Sequence, residues 1–223
     1  MKKLVIFDLD GTLLNTIEDL GRATNYALEK CGYPAHPLSA YPGMVGNGVK
    51  KLIERALPSG LDTDEEVERL RVYFKEYYES HCTEHTAPYP GIMQLLGDLR
   101  AHDIKVAVAS NKYQAAVERL VDYYFHDIEW AAVEGQKEGI PVKPDPSIVF
   151  EILTKSPTPK SEVLYVGDSG VDMETARRAC VDSVGVTWGF RPMTELKAYH
   201  ADNIVNTTDA IFDIAIAPES MTP

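Results

Sequence analysis

Four clusters of polar residues in this sequence combine the side chains that bind phosphate and divalent metals. They are Asp8-Leu9-Asp10-Gly11-Thr12, Ser110-Asn111-Lys112, Lys143-Pro144-Asp145-Pro146 and Gly167-Asp168-Ser169-Gly170-Val171-Asp172. Carboxylates gathered at one place repel one another unless a cation lies among them. Oxygen ligands of this kind suit Mg²⁺, which usually also contacts a substrate phosphate, and a lysine and a hydroxyl match the remaining phosphate oxygens. The residue types therefore indicate metal-assisted chemistry at a phosphate group.

The elements that must position these clusters alternate between short apolar runs and helical patterns. Four apolar runs are typical of buried strands, at residues 4–7, 106–109, 163–166 and 184–186. Helical patterns lie between them, as at 114–125. The alternation predicts an α/β fold with a doubly wound, mainly parallel sheet, a Rossmann-like core. Ligands bind outside the carboxyl ends of strands in such sheets, so we expect the polar clusters to meet at one edge.

The segment from about Thr16 to Glu84 breaks this alternation and has the pattern of consecutive helices. Two apolar stripes are interpreted as helix-packing faces rather than ligand-stacking surfaces: Leu20, Ala23, Ala27 and Leu28, and Leu70, Phe74, Tyr77 and Tyr78. The sequence thus predicts a small all-helical cap, 15–86, inserted into a catalytic core formed by 1–14 and 87–217. We expect 218–223 to be a frayed tail.

The order of the four clusters resembles the haloacid dehalogenase-like hydrolase superfamily. The resemblance rests on DLDGTL, then Ser110, Lys143-Pro144 and GDSxxD, and covers nearly the whole chain. The helical insertion is similar to that superfamily's small cap. The resemblance implies a Mg²⁺-dependent phosphatase that acts through a covalent aspartyl-phosphate.

The resemblance also implies a role for each matched residue. Asp8 is expected to be the nucleophile and Asp10 the general acid and base. Ser110 and the amide of Asn111 are expected to hold the phosphoryl group, while Lys143 neutralises the nucleophile and the phosphate. The implied metal ligands are Asp8, the backbone carbonyl of Asp10 and Asp168, which bind directly. Asp172 is expected to act on the metal through water or through another ligand.

Shorter segments are similar to the phosphoglycolate phosphatase branch of this superfamily. They are VASNK, VGDSGVDMETAR, VTWGFR and GNGVK. Two positions depart from the branch: Cys180 stands where glycine is usual, and Ser110 stands where threonine is commoner. The branch implies 2-phosphoglycolate as the substrate. A phosphatase of other small metabolites or of pyrophosphate on the same fold is the alternative.

The loop at 43–48 leaves two interpretations open. It is either a turn before a helix, or a surface whose amides face the active site and bind the non-phosphate end of the substrate. In the second case Gly46, Gly48 and Lys50 join Asn111 as substrate-binding residues, and Lys50 pairs with a substrate carboxylate. Trp188 and Arg191 are open in the same way, since they either pack their loop or rim the pocket.

Three rival functions use related chemistry. A β-phosphoglucomutase-like isomerase would need cap residues that hold a sugar while its phosphate moves. A phospho-switch such as a receiver domain carries its aspartate on a middle strand and lacks a DxD motif with an inserted cap. A metal-free dehalogenase would keep neither Asp10 nor the acidic pair of GDSxxD.

Composition restricts the partners and the location. The formal net charge is −12, and such a surface repels nucleic acid and anionic membranes. We therefore expect a small phosphorylated metabolite as the partner, no nucleic acid or membrane, and a monomer or homodimer. Three widely separated cysteines form no metal-binding spacing and fit a reduced compartment. The apolar run at 4–7 is interrupted by Asp8, so it is too short for a signal peptide, and we expect a cytoplasmic protein.

Overall fold

A computed structural model describes residues 1–218, and the predicted tail lies outside the described residues from 219 onward. The strands are β1 (Leu4–Phe7), β2 (Leu14–Asn15), β3 (Ala87–Pro88), β4 (Lys105–Tyr113), β5 (Trp130–Gln136), β6 (Val163–Gly167), β7 (Asp182–Val186) and β8 (Asn203–Val205). The helices are α1 (Ile17–Lys30), α2 (Gly48–Ala56), α3 (Asp64–His81), α4 (Ile92–Ala101), α5 (Gln114–Phe125), α6 (Ser147–Lys155), α7 (Gly170–Ala179), α8 (Met193–Ala198) and α9 (Thr208–Ile216). Short 3₁₀ turns lie at Leu38–Gly43 and Lys160–Glu162.

Six strands form one sheet in the order β5-β4-β1-β6-β7-β8, and all its pairings are parallel. The predicted α/β fold is thereby confirmed. From β1 the chain continues to β4 and β5 on one side, then returns to β6 on the other side of β1. The order thus reverses at β1, and a crevice at the carboxyl ends of the strands is the usual ligand site of such a sheet.

The central strand β1 is buried on both faces because successive side chains point to opposite sides of a strand. Val5 and Phe7 pack in a cluster with residues of α4, α5 and α9, whereas Leu4 and Ile6 pack with residues of α6 and α7. All four side chains are fully buried. Helices therefore cover both faces of the sheet, and the polar residues that follow β1 lie where the carboxyl ends of the strands meet.

The helices α1, α2 and α3 form the all-helical insertion between β2 and β3. The stripe on α1 is buried as interpreted, and Leu70, Phe74 and Tyr78 of α3 are buried as well. The two crossings between insertion and core pair with each other as an antiparallel ribbon, with Leu14 opposite Pro88 and Asn15 opposite Ala87. The residue bounds of cap and core stay predictions. Within residues 1–218, no helix combines the length and apolarity that crossing a membrane requires.

Candidate active site

Asp8 directly follows β1 and is fixed by its backbone, since its N–H donates to the carbonyl of Val166 at 2.9 Å. Its carboxylate contacts Lys143, whose Nζ lies 2.8 Å from Asp8 Oδ1. The same Nζ donates to Asp172 Oδ1 at 2.7 Å and to the carbonyl of Ala109 at 2.9 Å. The three hydrogens of this ammonium therefore have three acceptors, and Lys143 is held between a carboxylate that follows β1 and one in the first turn of α7.

Asp8, Asp168 and Asp172 form a buried acidic cluster in which one oxygen of each lies within 4.8 Å of the others. Asp168 Oδ2 accepts from the backbone N–H of Phe190 at 2.6 Å. Asp172 forms a capping box with Ser169 at the start of α7, in which its Oδ2 accepts from the Ser169 backbone N–H at 3.2 Å, and Oδ2 also accepts from Ser169 Oγ at 2.6 Å. The helix start and the loop after β7 thus orient two of the three carboxylates.

The charges in this cluster do not balance. Burial, aided by Asp172 and Asp10, raises the pKa of Asp8 to about 7 against the opposing effect of Lys143. Burial and then the nearby Asp172 and Asp8 raise the pKa of Asp168 well above its ordinary value. Three ionised carboxylates with one ammonium leave two negative charges in a buried space. An all-oxygen donor set with this excess fits a divalent cation such as Mg²⁺.

Asp10 accepts hydrogen bonds from Thr16, just before α1, and from Lys112, near the end of β4. Thr16 Oγ1 donates to Asp10 Oδ1 at 2.7 Å, and Lys112 Nζ donates to Oδ1 and Oδ2 at 2.9 and 3.0 Å. The Lys112 side chain is only 5% exposed. Sequence reasoning did not assign Lys112 a role, although it directly follows the predicted Ser110 and Asn111.

Ser110 and Asn111 lie at the end of β4, beside this cluster, and both are buried. The side chain of Asn111 forms a reciprocal pair with the backbone of Lys143: Oδ1 accepts from its N–H at 2.8 Å, and Nδ2 donates to its carbonyl at 3.1 Å. Nδ2 also lies 3.3 Å from the carbonyl oxygen of Gly46 in the insertion. Asn111 therefore joins the lysine loop and the cap loop to β4.

A small cavity of about 40 Å³ lies between the core residues and the insertion. Its lining includes Asp8, Asp10, Ser110, Asn111, Lys112, Val45, Gly46, Gly48, Phe74 and Tyr78. The structure thus favours the interpretation in which the loop at 43–48 faces the site. Gly48 has φ +82°, and a side chain there would approach the carbonyl of Asn111 to 3.2 Å.

Of the four residues considered for substrate binding, Asn111, Gly46 and Gly48 line this cavity and Lys50 does not, so the structure does not favour the interpretation in which Lys50 faces the site. Its Nζ lies 2.7 Å from Asp64 Oδ1, and its side chain is 60% exposed. The reason is the helical phase of α2. Leu52, Ile53 and Ala56 form the buried face of that helix, and Lys50 lies beside this face rather than on it.

Trp188 and Arg191 brace loops at the cavity. Trp188 Nε1 donates to the carbonyl of Thr12 at 3.1 Å. Arg191 donates to two carbonyls of the insertion, those of Pro42 at 2.7 Å and Val45 at 2.6 Å. The nearby Gly11 has φ +91°, and any side chain there would collide with the Asp168 carboxylate. Of the two interpretations left open for Trp188 and Arg191, these contacts favour packing and loop support.

Comparison with known proteins places this geometry in a family. The family model described as haloacid dehalogenase-like hydrolase matches residues 5–186. A phosphoglycolate phosphatase of Pseudomonas savastanoi pv. phaseolicola is 34% identical over 208 residues, which cover 87% of this chain and 74% of that protein. The crystal structure of a candidate phosphoglycolate phosphatase from Lactobacillus delbrueckii subsp. bulgaricus matches with a TM-score of 0.92 at 34% identity, covering 98% of this chain and 100% of that one.

The match spans both the strands and the helical insertion. A second solved structure, of a predicted phosphoglycolate phosphatase from Haemophilus somnus, has a TM-score of 0.88 at 27% identity and covers 96% of this chain and 97% of that one. All four polar clusters lie within the residues that the family model matches. The chain therefore belongs to the haloacid dehalogenase-like hydrolases, in the branch that resembles phosphoglycolate phosphatases.

Proposed function

We propose that this enzyme is a Mg²⁺-dependent phosphatase that hydrolyses a small phosphomonoester through an aspartyl-phosphate on Asp8, with 2-phosphoglycolate as the substrate. The observation that carries the proposal is the position of Lys143. Its ammonium lies between Asp8 and Asp172, within the buried acidic cluster and at the carboxyl end of the central strand. A nucleophile, a phosphate-neutralising cation and metal-binding oxygens thus meet at one point.

The chemistry assigned to the chain's own residues has two halves. In the first, a bond forms between an Asp8 oxygen and phosphorus while the bond from phosphorus to the substrate oxygen breaks, and Asp10 gives a proton to that oxygen. In the second, Asp10 takes a proton from water, whose oxygen attacks phosphorus and releases inorganic phosphate from Asp8. Covalent catalysis by a carboxylate divides one difficult step into two easier ones. The Ser110 hydroxyl and Lys143 position and neutralise the phosphoryl group.

The carboxylates of Asp8, Asp168 and Asp172 would hold the metal, and the backbone carbonyl of Asp10 would complete the protein ligands. When bound, Mg²⁺ neutralises charge on the phosphate oxygens and aligns the phosphoryl group for transfer. The carboxylate of Asp10 is engaged by Thr16 and Lys112 instead, which leaves it free of the metal and suits it to proton transfer.

Cavity size supports a small substrate. Since a water molecule needs about 10–15 Å³ by this measure, the cavity has room for roughly three water-sized groups. The insertion contributes mainly apolar side chains to it, including Leu20, Val45, Val49, Leu52 and Phe74. That lining fits a short substrate better than the many hydroxyls of a sugar phosphate, and thus favours a phosphatase over a phosphoglucomutase-like isomerase. Phosphoglycolate, the substrate in the relatives' names, has only a methylene and a carboxylate beyond its phosphate and therefore needs little of this space.

The test is a panel of phosphorylated metabolites assayed with Mg²⁺ for release of inorganic phosphate. It should include 2-phosphoglycolate, sugar phosphates, nucleotides and pyrophosphate, with Asp8→Asn as the inactive control. We expect 2-phosphoglycolate to give the highest kcat/KM. Higher values for sugar phosphates or pyrophosphate would overturn the substrate, and failure to release phosphate from any compound would overturn the phosphatase.

The proposal includes a cytoplasmic location, which suits the unpaired Cys31, Cys82 and Cys180.

A further inference from the structure

The cavity beside the reacting groups contains a buried cation that the proposed reaction does not use on phosphate. Among the described residues that line the cavity, the charged side chains are Asp8, Asp10 and Lys112. The ammonium of Lys143 has all three hydrogens committed to Asp8, Asp172 and the carbonyl of Ala109. Lys112 instead directs its hydrogen bonds at Asp10 alone, so one hydrogen of its ammonium is available to a ligand.

A second polar group on the cavity wall is incompletely satisfied. The Tyr78 side chain is 1% exposed, and its hydroxyl has no hydrogen-bond partner among the described residues. A buried hydroxyl without a partner is unfavourable, so such a group needs an explanation. Burial raises the pKa of Tyr78 well above its ordinary value, so the hydroxyl keeps its proton and can donate. Lys112 Nζ lies over the face of the Tyr78 ring, 4.9 Å from its centre, so both residues lie on the same part of the cavity wall.

The position of Lys112 relative to Asp10 determines which part of a substrate it can contact. Asp10 is assigned to the leaving oxygen, and Lys112 Nζ lies within 3.0 Å of both Asp10 carboxylate oxygens. Atoms attached to the leaving oxygen must therefore pass close to Lys112. In 2-phosphoglycolate the carboxylate is joined to the leaving oxygen through a single methylene carbon.

We propose that Lys112 and Tyr78 determine specificity by binding a carboxylate on the carbon next to the phosphate ester oxygen. This inference rests on the proposed function and replaces Lys50 with Lys112 as the cation that recognises the second anionic group. The ammonium and the phenol hydroxyl both donate to the carboxylate, and the apolar residues around them exclude water from the pair. The enzyme thereby recognises an anionic substrate although its own net charge is −12.

The experiment compares two substrates of the same carbon count, 2-phosphoglycolate and 2-hydroxyethyl phosphate, which has a neutral hydroxymethyl group in place of the carboxylate. The quantity of interest is the ratio of their kcat/KM values, because a general loss of activity cancels in it. We expect Lys112→Met to lower the ratio about ten- to a hundredfold and Tyr78→Phe to lower it about three- to tenfold.

Two control variants separate recognition from other effects. Thr16→Val removes the other hydrogen bond to Asp10 without removing a cation, so it should slow both substrates by the same factor and leave the ratio unchanged. Lys50→Met makes the same substitution at an exposed lysine of the insertion and should also leave the ratio unchanged. A ratio that fell with Lys50→Met but not with Lys112→Met would overturn the inference.

A binding measurement covers the case in which Lys112→Met is too slow to assay. Calorimetry with Mg²⁺ would compare both compounds on Asp8→Asn and on the double variant Asp8→Asn with Lys112→Met. We expect the preference for phosphoglycolate to fall by a similar factor, and an unchanged preference would overturn the inference.

If the wild-type enzyme cleaves both substrates but Lys112→Met lowers both kcat/KM values equally, the inference fails and the phosphatase stands. If the wild type releases no phosphate from any phosphomonoester, the proposed function itself fails.

Discussion

Nη1 of Arg191, which follows β7 in the core, lies 2.7 Å from the carbonyl oxygen of Pro42 in the insertion. The same guanidinium donates to Val45, while Arg55 binds the carbonyl of Met44 and the side chain of Asn47 from the insertion side. Two arginines thus hold one short loop from opposite sides. That loop contributes Gly46 and Gly48 to the cavity wall, so its position affects the space available to the substrate.

Arg191→Lys should loosen this loop while keeping the charge, because an ammonium does not present the planar fork that reaches two carbonyls at once. We expect faster amide hydrogen exchange at residues 42–48 and a kcat/KM about tenfold lower, mostly through a higher KM. Arg22→Lys is the matched control, since Arg22 pairs with Glu18 on the exposed surface of α1. Unchanged exchange in Arg191→Lys would show that the contact does not hold the loop.

Asp8→Asn should abolish phosphate release without unfolding the protein, because the amide is nearly isosteric but is a poor nucleophile. It also removes one charge from a cluster in which buried carboxylates repel one another, so its Tm in metal-free buffer should not be lower than that of the wild type. Asp145→Asn is the control, since Asp145 lies two residues after Lys143 but accepts from Ser147. Normal turnover by a folded Asp8→Asn protein would exclude the covalent mechanism.

Removal of divalent metal should stop turnover, and Mg²⁺ should restore it. Ca²⁺ should not, because its larger and more variable coordination disturbs the alignment of the phosphoryl group. A readout independent of activity is the Tm. Mg²⁺ at a hundred times its Kd should stabilise the fold by about 2.7 kcal/mol, and Asp168→Asn should remove most of that gain. Full activity after chelation would contradict the metal site.

Glu134 should make the stability of the core depend on acid pH. Its carboxylate is buried, yet hydrogen bonds from Lys137 and Lys155 outweigh the effect of burial and lower its pKa. The ionised Glu134 and its two lysines therefore stabilise the folded state fully above the unfolded pKa of about 4.3. This stabilisation is lost as the pH falls through the lower pKa that Glu134 has in the folded state.

We expect Glu134→Gln to destabilise the protein at neutral pH and to flatten the pH dependence of unfolding in denaturant between about pH 5 and 3. The exposed Glu138 provides the matched control, Glu138→Gln, which should retain the wild-type slope. A Glu134→Gln protein with the wild-type slope would show that another group causes the acid sensitivity.

Much of the core could be predicted because its strands are uninterrupted apolar runs that end at polar residues. β5 does not meet this criterion because Glu134 interrupts its apolar pattern. Glu134 can be buried because it pairs with Lys137, just after the strand, and with Lys155, further along the chain.

Lys50 does not line the cavity because its neighbours Val49 and Leu52 on α2 do, and consecutive side chains on a helix point about 100° apart. The sequence leaves open which residues of this short helix face the cavity.

The roles of Lys112 and Tyr78 could not be read from sequence for a different reason. Lys112 meets Asp10 across 102 positions of the chain, and nothing local marks that contact. Tyr78 belongs to an apolar stripe, and its ring does pack as the stripe predicts. Tyr78 differs from a purely structural aromatic residue because it lines the cavity and its buried hydroxyl has no hydrogen-bond partner among the described residues.

The pairing of β2 with β3 makes the insertion an exchangeable module. Asn15 and Ala87 face each other across a two-residue ladder, so the chain leaves the core and re-enters it at neighbouring points. The entropic cost of closing a loop between fixed ends grows only slowly with its length. A tight turn, a larger helical bundle or a sheet could therefore be inserted between β2 and β3 without altering the path of β1 or the position of Asp8. Substrate range can thus diversify by replacement at this ribbon while the phosphate-handling residues stay where they are.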